Sequence, residues 1–355
     1  GIGVDSGGAS LDVLAKDFDQ GLMLFSDILM RPGFSEEKLD LLKKQEIEGI
    51  RRKNDHPPAI VSREFGKLIY GADSHYVRES TIESVNKITR NDIQEYHAKF
   101  FHPNAIIFGV TGDFKSGEMI AKLTKAFGTW EKKEVEYPPV KPVVTAFTPS
   151  VNLVEKDVSQ AYIRLGHLGV KQDNPDYFAL SVMDDILGGQ AFTSRLFKEV
   201  RTRQGLAYGV GSVVVPGNSA PGLFFAYCQT MSGKTGKALS AMLENIRKIR
   251  EEPVSQEELK QAKDSFLNSF IFSFSNPSQI VSRQISLDYW GLPADFLEKF
   301  RENVSRVTAD DVLRVAKKYI HPDGLTILVV GKSAEFDRPL SDFGPVRVIP
   351  LEKTP

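Results

Sequence analysis

The sequence has one cysteine, almost no net charge and no long hydrophobic run, and each of these features argues against a class of structure or partner. The single cysteine, Cys228, excludes an intrachain disulfide and a metal site built from cysteines. No apolar run approaches the roughly 18 residues of a transmembrane helix, so no membrane span is predicted. Lys and Arg number 45 against 46 Asp and Glu, a net charge of −1, so no nucleic-acid partner is predicted.

What the sequence does contain is an internal repeat. Ile60–Arg63 has the same four residues as Ile280–Arg283, an offset of 220 positions, and each copy follows a proline. Further on, the dipeptide His102-Pro103 returns as His321-Pro322 at an offset of 219. Two homologous domains explain both offsets most economically.

The repeat also predicts domain boundaries. By this offset Gly1 aligns with about position 221 of the second copy, and that copy begins near Ser150. About 70 residues of the first copy are therefore expected to lie before Gly1. We predict the C-terminal half of a first domain at 1–130, a proline-rich linker at 131–149 and a complete second domain at 150–355.

Hydrophobic periodicity predicts an α+β fold with an antiparallel sheet packed against helices. Helices are predicted at 10–30, from an N-cap at Ser35 to about 53, at 174–187 and at 193–203. Capping boxes are predicted at Thr89 and Thr308. Buried strands are predicted at 105–110 and 325–330, after the two His-Pro turns, and strands at 151–156, 160–168, 207–215 and 222–230.

One constellation suggests chemistry. Arg201 near a helix end and Tyr208 at a strand start are separated by a glycine turn, so their polar tips are expected to converge. A guanidinium and a phenol aimed together suit a carbonyl oxygen that gains negative charge. The alternative is a solvated arginine beside a tyrosine packed on a sheet edge, since both residues are common at surfaces.

These residues, with Gly188-Gly189, the run Ser194–Phe197 and the duplicated unit, resemble the pitrilysin/insulinase family of zinc metallopeptidases, in its bacterial, mitochondrial-processing-peptidase-like branch. The resemblance covers essentially the whole chain. It implies the LuxS/processing-peptidase-like metallopeptidase fold, in which two lobes close over a peptide. One lobe holds zinc through H-x-x-E-H and a distal glutamate. The other supplies an Arg and a Tyr seven residues apart, matched here by Arg201 and Tyr208.

The zinc ligands of that family have no match here. H-x-x-E-H does not occur in the 355 residues, and the corresponding helix of the second copy, Ser181–Ile186, has no histidine. Counting back from the proline slot places the distal ligand at Gly49 and a companion at Leu42, neither of which binds zinc. A one-residue shift would place Glu48 there instead. The resemblance thus implies no zinc ligand in this chain, and zinc in a partner subunit or in a segment before Gly1.

Three functions follow from this resemblance. The leading hypothesis is a non-metal subunit that binds peptide through Arg201 and Tyr208 and completes the active site of a zinc-bearing homologue, as a heterodimer. Self-dimerisation stays open, and the chain alone is expected to be inactive. The second hypothesis is the C-terminal portion of a single-chain zinc endopeptidase. The third is a catalytically inactive structural homologue. The sequence does not distinguish a periplasmic from a cytoplasmic location.

Overall fold

The chain forms two compact units, neither of which is a continuous stretch of sequence. The structure is a computed structural model that describes residues 1–144, 146–272 and 274–352. The first unit comprises Gly1–Arg52, Glu79–Val140 and Ser273–Gly291. The second comprises Lys53–Arg78, Lys141–Phe272 and Leu292–Pro355. The second unit contains the predicted Arg/Tyr constellation.

Helices precede the first strand, and most of the later helices follow one another between β4 and β5. The helices are α1 Phe18–Met30, α2 Glu36–Arg51, α3 Pro57–Tyr70, α4 Ile82–Lys87, α5 Arg90–Phe100, α6 Ser116–Phe127, α7 Tyr177–Asp184, α8 Thr235–Glu251, α9 Gln256–Phe272, α10 Pro277–Trp290, α11 Phe296–Arg306 and α12 Ala309–Tyr319. The strands are β1 Ser150–Glu155, β2 Gln160–Leu168, β3 Ala207–Val215, β4 Leu223–Met231, β5 Thr326–Gly331 and β6 Val346–Val348. Among the described residues, no helix has both the length and the apolar character needed to cross a membrane.

The first unit is built of helices whose starts the sequence encodes locally. The Ser35 hydroxyl accepts a hydrogen bond from the Lys38 amide at the start of α2. Thr89 and Asp92 form a complete capping box on α5, and the same box recurs at Thr308 on α12 in the second unit. These predicted caps are confirmed, because each satisfies amides that the helix itself leaves unpaired.

Two predictions for the first unit were wrong. The predicted strand at 105–110 is absent, and the side chains of Ile107 and Phe108 are 44% and 38% exposed. α1 begins at Phe18 rather than near residue 10, because Leu11 lies against Gly21 of α1 instead of continuing the helix. An apolar pattern predicts burial, but it does not say which backbone conformation achieves it.

The second unit contains a six-stranded sheet in the order β3-β4-β2-β5-β1-β6. The predicted α+β class is confirmed, and so are the strands predicted in the second copy. One detail differs: the sheet is mixed, since β1 runs parallel to β5 and β6 while the other pairings are antiparallel. β5 is buried along its whole length, as expected for a central strand covered on both faces.

Each face of this sheet is covered by helices. Alternate strand residues such as Ile163 and Val329 pack in the core that includes α7, α8 and α12. On the opposite face, α3 packs Ile60 and Phe65 against Leu328 and other strand residues, and all three side chains are fully buried. Burying each such side chain contributes about 1.5–3 kcal/mol. The sheet therefore carries two apolar cores, one on each side.

The repeated cassettes are divided between the units in an unexpected way. α3 carries Ile60–Arg63 from the first copy, yet it belongs to the second unit. α10 carries Ile280–Arg283 from the second copy and belongs to the first unit. There it packs so closely on Gly109 that a Cβ on that glycine would lie 2.3 Å from Val281. Each unit is therefore completed by a helix from the other repeat.

Candidate functional site

Arg201 lies on a helical segment that widens into a π-helix at Phe197–Arg203. The segment ends at Gly205, which has φ +60°, and the Leu206 amide turns back to donate to the Val200 carbonyl at 2.8 Å. Glycine adopts this left-handed conformation without the steric cost that a Cβ imposes. The predicted helix at 193–203 is thus present mainly in its π form, which is frequent at functional sites.

The two arginines of this segment have different surroundings. Arg203 is bound by the Glu199 carboxylate through both its Nε and an Nη2 atom. Arg201 forms no hydrogen bond or ion pair with any residue that the structure describes; its guanidinium instead lies 4.8 Å from the centre of the Phe197 ring. The N–H groups of Arg201 are therefore available to a ligand.

Tyr208 projects from the sheet because of a β-bulge. Ala207 pairs with Thr230 and Gly209 with Gln229 on β4, so Tyr208 is the extra residue of β3 between them. A bulge re-aims the side chain of the unpaired residue, and the Tyr208 side chain is 74% exposed. The strand entry is fixed nearby, since the Thr230 hydroxyl donates to the Leu206 carbonyl at 2.5 Å.

The structure brings Arg201 and Tyr208 together. The guanidinium carbon of Arg201 lies 5.6 Å from the centre of the Tyr208 ring. A cation over an aromatic ring within about 6 Å is attracted by the ring's negative face. This contact orients the two side chains as one surface whose N–H and O–H groups can donate to a carbonyl oxygen.

A buried acidic pair lies at the end of α7, where the sequence predicted a continuous helix to Leu187. The helix continues beyond α7 as a π-helix at Asp185–Gly189. The Asp184 carboxylate accepts from the Ser212 hydroxyl at 2.6 Å and from the Val214 amide at 3.1 Å, both on β3. Asp184 thereby ties the helix end to the strand that carries Tyr208.

Both carboxyl groups are buried, and burial favours their neutral form. It raises the pKa of Asp184 to about 6, although the two hydrogen bonds from β3 act in the opposite direction. It raises the pKa of Asp185 to about 7, and the nearby charge of Asp184 adds to that rise. The Gln190 side chain donates to both Asp185 oxygens at 3.2 and 3.1 Å. Sequence reasoning missed this pair, although two aspartates between Met183 and Ile186 in an apolar helix were a visible signal.

Replacing Asp184 with asparagine is expected to flatten the dependence of stability on pH. A carboxyl whose folded pKa is raised to about 6 stabilises the fold below its ordinary pKa near 4 and loses that contribution as the pH rises toward 6. Asparagine keeps an acceptor for Val214 and can donate to Ser212. Between pH 4 and pH 8, the free energy of unfolding should therefore fall by about 2–3 kcal/mol less in Asp184→Asn than in the unchanged chain.

The measurement is urea unfolding at both pH values. The matched control is Asp73→Asn, at an exposed carboxylate on the second unit. A pH profile for Asp184→Asn that matches the profile of Asp73→Asn would show that Asp184 does not titrate in this range.

The α7 end and β3 are also in close backbone contact. A Cβ added to Gly188 would lie 2.2 Å from the backbone nitrogen of Ser212 and 2.6 Å from its hydroxyl oxygen. Real Cβ atoms do not approach other atoms so closely, so only glycine fits here. The Gly188-Gly189 pair recognised in the sequence thus permits this contact.

The positions that align with the family's distal zinc ligand lie on one helix of the first unit. Gly49, Leu42 and Glu48 lie on α2, where the Glu48 carboxylate pairs with Arg51 at 2.6 Å. Across residues 1–144, 146–272 and 274–352, no group of three or more His, Cys, Asp or Glu side chains is placed to hold a metal ion. The donor set in this part of the chain therefore does not fit zinc.

Two histidines that lack ligand spacing in the sequence meet in the second unit. The backbone N–H of His321 donates to Nε2 of His167 at 3.1 Å, and the other ring nitrogen of His167 contacts the Leu168 carbonyl at 2.7 Å. Burial lowers the pKa of His167 to about 4. This neutral imidazole is fully used by backbone groups, so it is a packing residue.

The fold and these motifs place the chain in a known family. The family model described as "Peptidase M16 inactive domain" matches residues 87–266, more than half of the 355 residues. The chain belongs to the peptidase M16 family, which confirms the resemblance to pitrilysin-type peptidases inferred from the sequence. The matched model describes an inactive domain of that family, and H-x-x-E-H does not occur in the 355 residues.

Individual relatives agree with this assignment. The "Non-peptidase homolog YmxG" of Helicobacter pylori is 24% identical over 90% of this chain and 74% of its own length. An "uncharacterized zinc protease" of Mycobacterium leprae is 23% identical over 87% of this chain and 70% of its own length. A crystal structure of a peptidase M16 inactive domain from Pseudomonas fluorescens is 25% identical, with a TM-score of 0.82 over 92% of this chain and 77% of that one.

Proposed function

We propose that this chain is the peptide-binding, non-metal lobe of a zinc peptidase and completes the active site of a zinc-bearing homologue. The observation that carries the proposal is the contact between Arg201 and Tyr208. Both side chains present their donors to solvent, and the guanidinium is held over the phenol ring rather than neutralised by a carboxylate. A scaffold alone has no need of two such donors on one surface.

The proposed chemistry of this chain is binding, orientation and charge stabilisation. The Arg201 guanidinium would bind a peptide carbonyl oxygen, and the Tyr208 hydroxyl would donate to that oxygen as it becomes an oxyanion. Zinc, held by the partner, would supply an activated water for attack on that carbonyl. Donors fixed in advance stabilise developing charge without having to reorganise. The bulge at Tyr208 and the π-helical segment at Phe197–Arg203 provide that fixed geometry.

The test is hydrolysis of an unstructured peptide by the chain alone and after mixing with a homologous zinc peptidase from the same cell. We expect no zinc and no hydrolysis from the chain alone, and activity above that of the homologue after mixing. One zinc per natural full-length chain, with activity alone, would contradict the proposal and favour a single-chain peptidase.

A structural role is the second candidate, because one relative is described as a non-peptidase homolog. It predicts that the chain binds no peptide and that mixing adds no activity. Peptide binding by the chain alone, measured by fluorescence anisotropy, separates this candidate from the proposal.

A further inference from the structure

Phe192 has an unusual backbone conformation for its residue type. Its φ is +69°, in the left-handed region, and Phe34 is the other non-glycine residue with positive φ among those described. This conformation costs an L-residue roughly 1–2 kcal/mol. Such strain persists where the surroundings impose it, and it is concentrated at functional sites.

Burial does not compensate for this strain. The Phe192 side chain is 73% exposed, so little of its apolar surface is removed from water. The one ring that it contacts in the described part of the chain is Phe197, at a centroid distance of 4.9 Å. Packing alone therefore gives no reason for a phenylalanine at this position.

The loop that holds Phe192 is anchored on both sides. On one side, Gln190 is hydrogen-bonded to the buried Asp185 carboxyl. On the other side, the Arg195 guanidinium binds both oxygens of Glu258 on α9, at 2.7 and 3.0 Å. Two-point contacts of this kind fix orientation as well as distance. The loop is thus held in place on either side of Phe192.

The Phe192 ring is linked to the proposed peptide site through Phe197. Phe192 contacts the buried Phe197 ring, and the Arg201 guanidinium lies 4.8 Å from the centre of that same ring. Arg201 in turn lies over Tyr208. Three aromatic rings and one cation therefore form a continuous row on the second unit. Its donors lie at the Tyr208 end and an exposed apolar ring lies at the other.

We infer that Phe192 is the specificity-determining contact for an aromatic or other large apolar side chain of the peptide whose carbonyl oxygen binds Arg201 and Tyr208. This inference rests on the proposed function and names its substrate class. Ring pairs with centroids about 4.5–7 Å apart attract one another beyond the burial of area. A peptide aromatic placed on Phe192 would extend the row by one ring.

The experiment measures binding of the chain alone to two labelled, unstructured peptides that differ by one Phe-to-Ala change, using fluorescence anisotropy. We expect about tenfold tighter binding of the phenylalanine peptide. Phe192→Ala should reduce that preference below twofold and leave the affinity for the alanine peptide unchanged. The matched control is Phe272→Ala on α9, whose side chain is also 73% exposed, and it should keep the preference.

A second variant separates function from folding. Phe192→Gly removes the ring and adopts positive φ freely, so it should unfold at the same temperature as the unchanged chain or a higher one, while losing the preference. A lower unfolding temperature, or a preference retained in both variants, would overturn the inference. If the Phe192 variants no longer pair with the zinc homologue but keep the peptide preference, the ring belongs to a subunit contact. That result would also overturn the inference.

Arg201→Ala distinguishes a failure of this inference from a failure of the proposed function. It should weaken the binding of both peptides by the same factor and leave the preference for the phenylalanine peptide intact. If it weakens neither peptide while Phe192→Ala abolishes the preference, the aromatic contact stands and the proposed role of Arg201 fails. If the unchanged chain binds neither peptide, both fail.

Discussion

Replacing Tyr208 with phenylalanine is expected to lower the turnover of the reconstituted pair about 100-fold or more. The change removes one hydroxyl and keeps the ring over which the Arg201 guanidinium lies at 5.6 Å. A single donor to an oxyanion is worth about 3–4 kcal/mol of activation free energy. Because the hydroxyl would act mainly as charge develops, kcat should fall while KM changes little.

The measurement is steady-state hydrolysis of one peptide by the mixed subunits. Tyr137→Phe makes the same chemical change at a phenol that is 68% exposed outside the second unit, and it should leave kcat unchanged. Equal rates for the two variants would remove Tyr208 from the mechanism and leave the fold assignment intact.

Replacing Gly188 with alanine is expected to destabilise the second unit by about 3 kcal/mol, at the upper end for overpacked sites. The new Cβ would lie 2.2 Å from the Ser212 nitrogen, so the π-helix at Asp185–Gly189 and β3 would have to separate. Separation would also break the hydrogen bond from Ser212 to Asp184. The thermal midpoint should fall by about 5–10 °C.

The matched control is Gly209→Ala on β3, the strand that Gly188 contacts. The added Cβ of this control has no atom within 4 Å. Its free energy of unfolding should change by no more than about 0.5 kcal/mol, as is usual for surface changes, so its thermal midpoint should hardly move. If both variants have the same thermal midpoint, the close approach at Gly188 does not constrain the unit.

Local features of the fold could be read from the sequence. The caps at Ser35, Thr89 and Thr308 depend on groups three residues apart in the chain, so tertiary structure does not alter them. The strands of the second copy also agree with their apolar patterns. By contrast, 105–110 has the same pattern as β5 and forms no strand, because a strand depends on neighbours that the pattern does not specify.

The candidate site was predictable in part. The spacing of Arg201 and Tyr208 across a glycine turn indicated that they meet, and the structure places them together. The β-bulge that exposes Tyr208 had no sequence signal, because it arises from pairing with β4. The positive φ of Phe192 also had no sequence signal, since none of the neighbouring residues requires it. The exchange of α3 and α10 between the units was also invisible, as the repeat shows similarity but not contact.

The position of α3 has a consequence for synthesis on the ribosome. Ile60 on α3 is made 268 residues before Leu328 on β5, yet both belong to one buried cluster. At roughly 5–20 residues per second, translation leaves the apolar face of α3 without this partner for about 15–50 s. The second unit therefore cannot complete its fold until β5 has been made. Nascent chains that stop before β5 would leave the apolar face of α3 without its strand partner, which is a surface suited to chaperone binding.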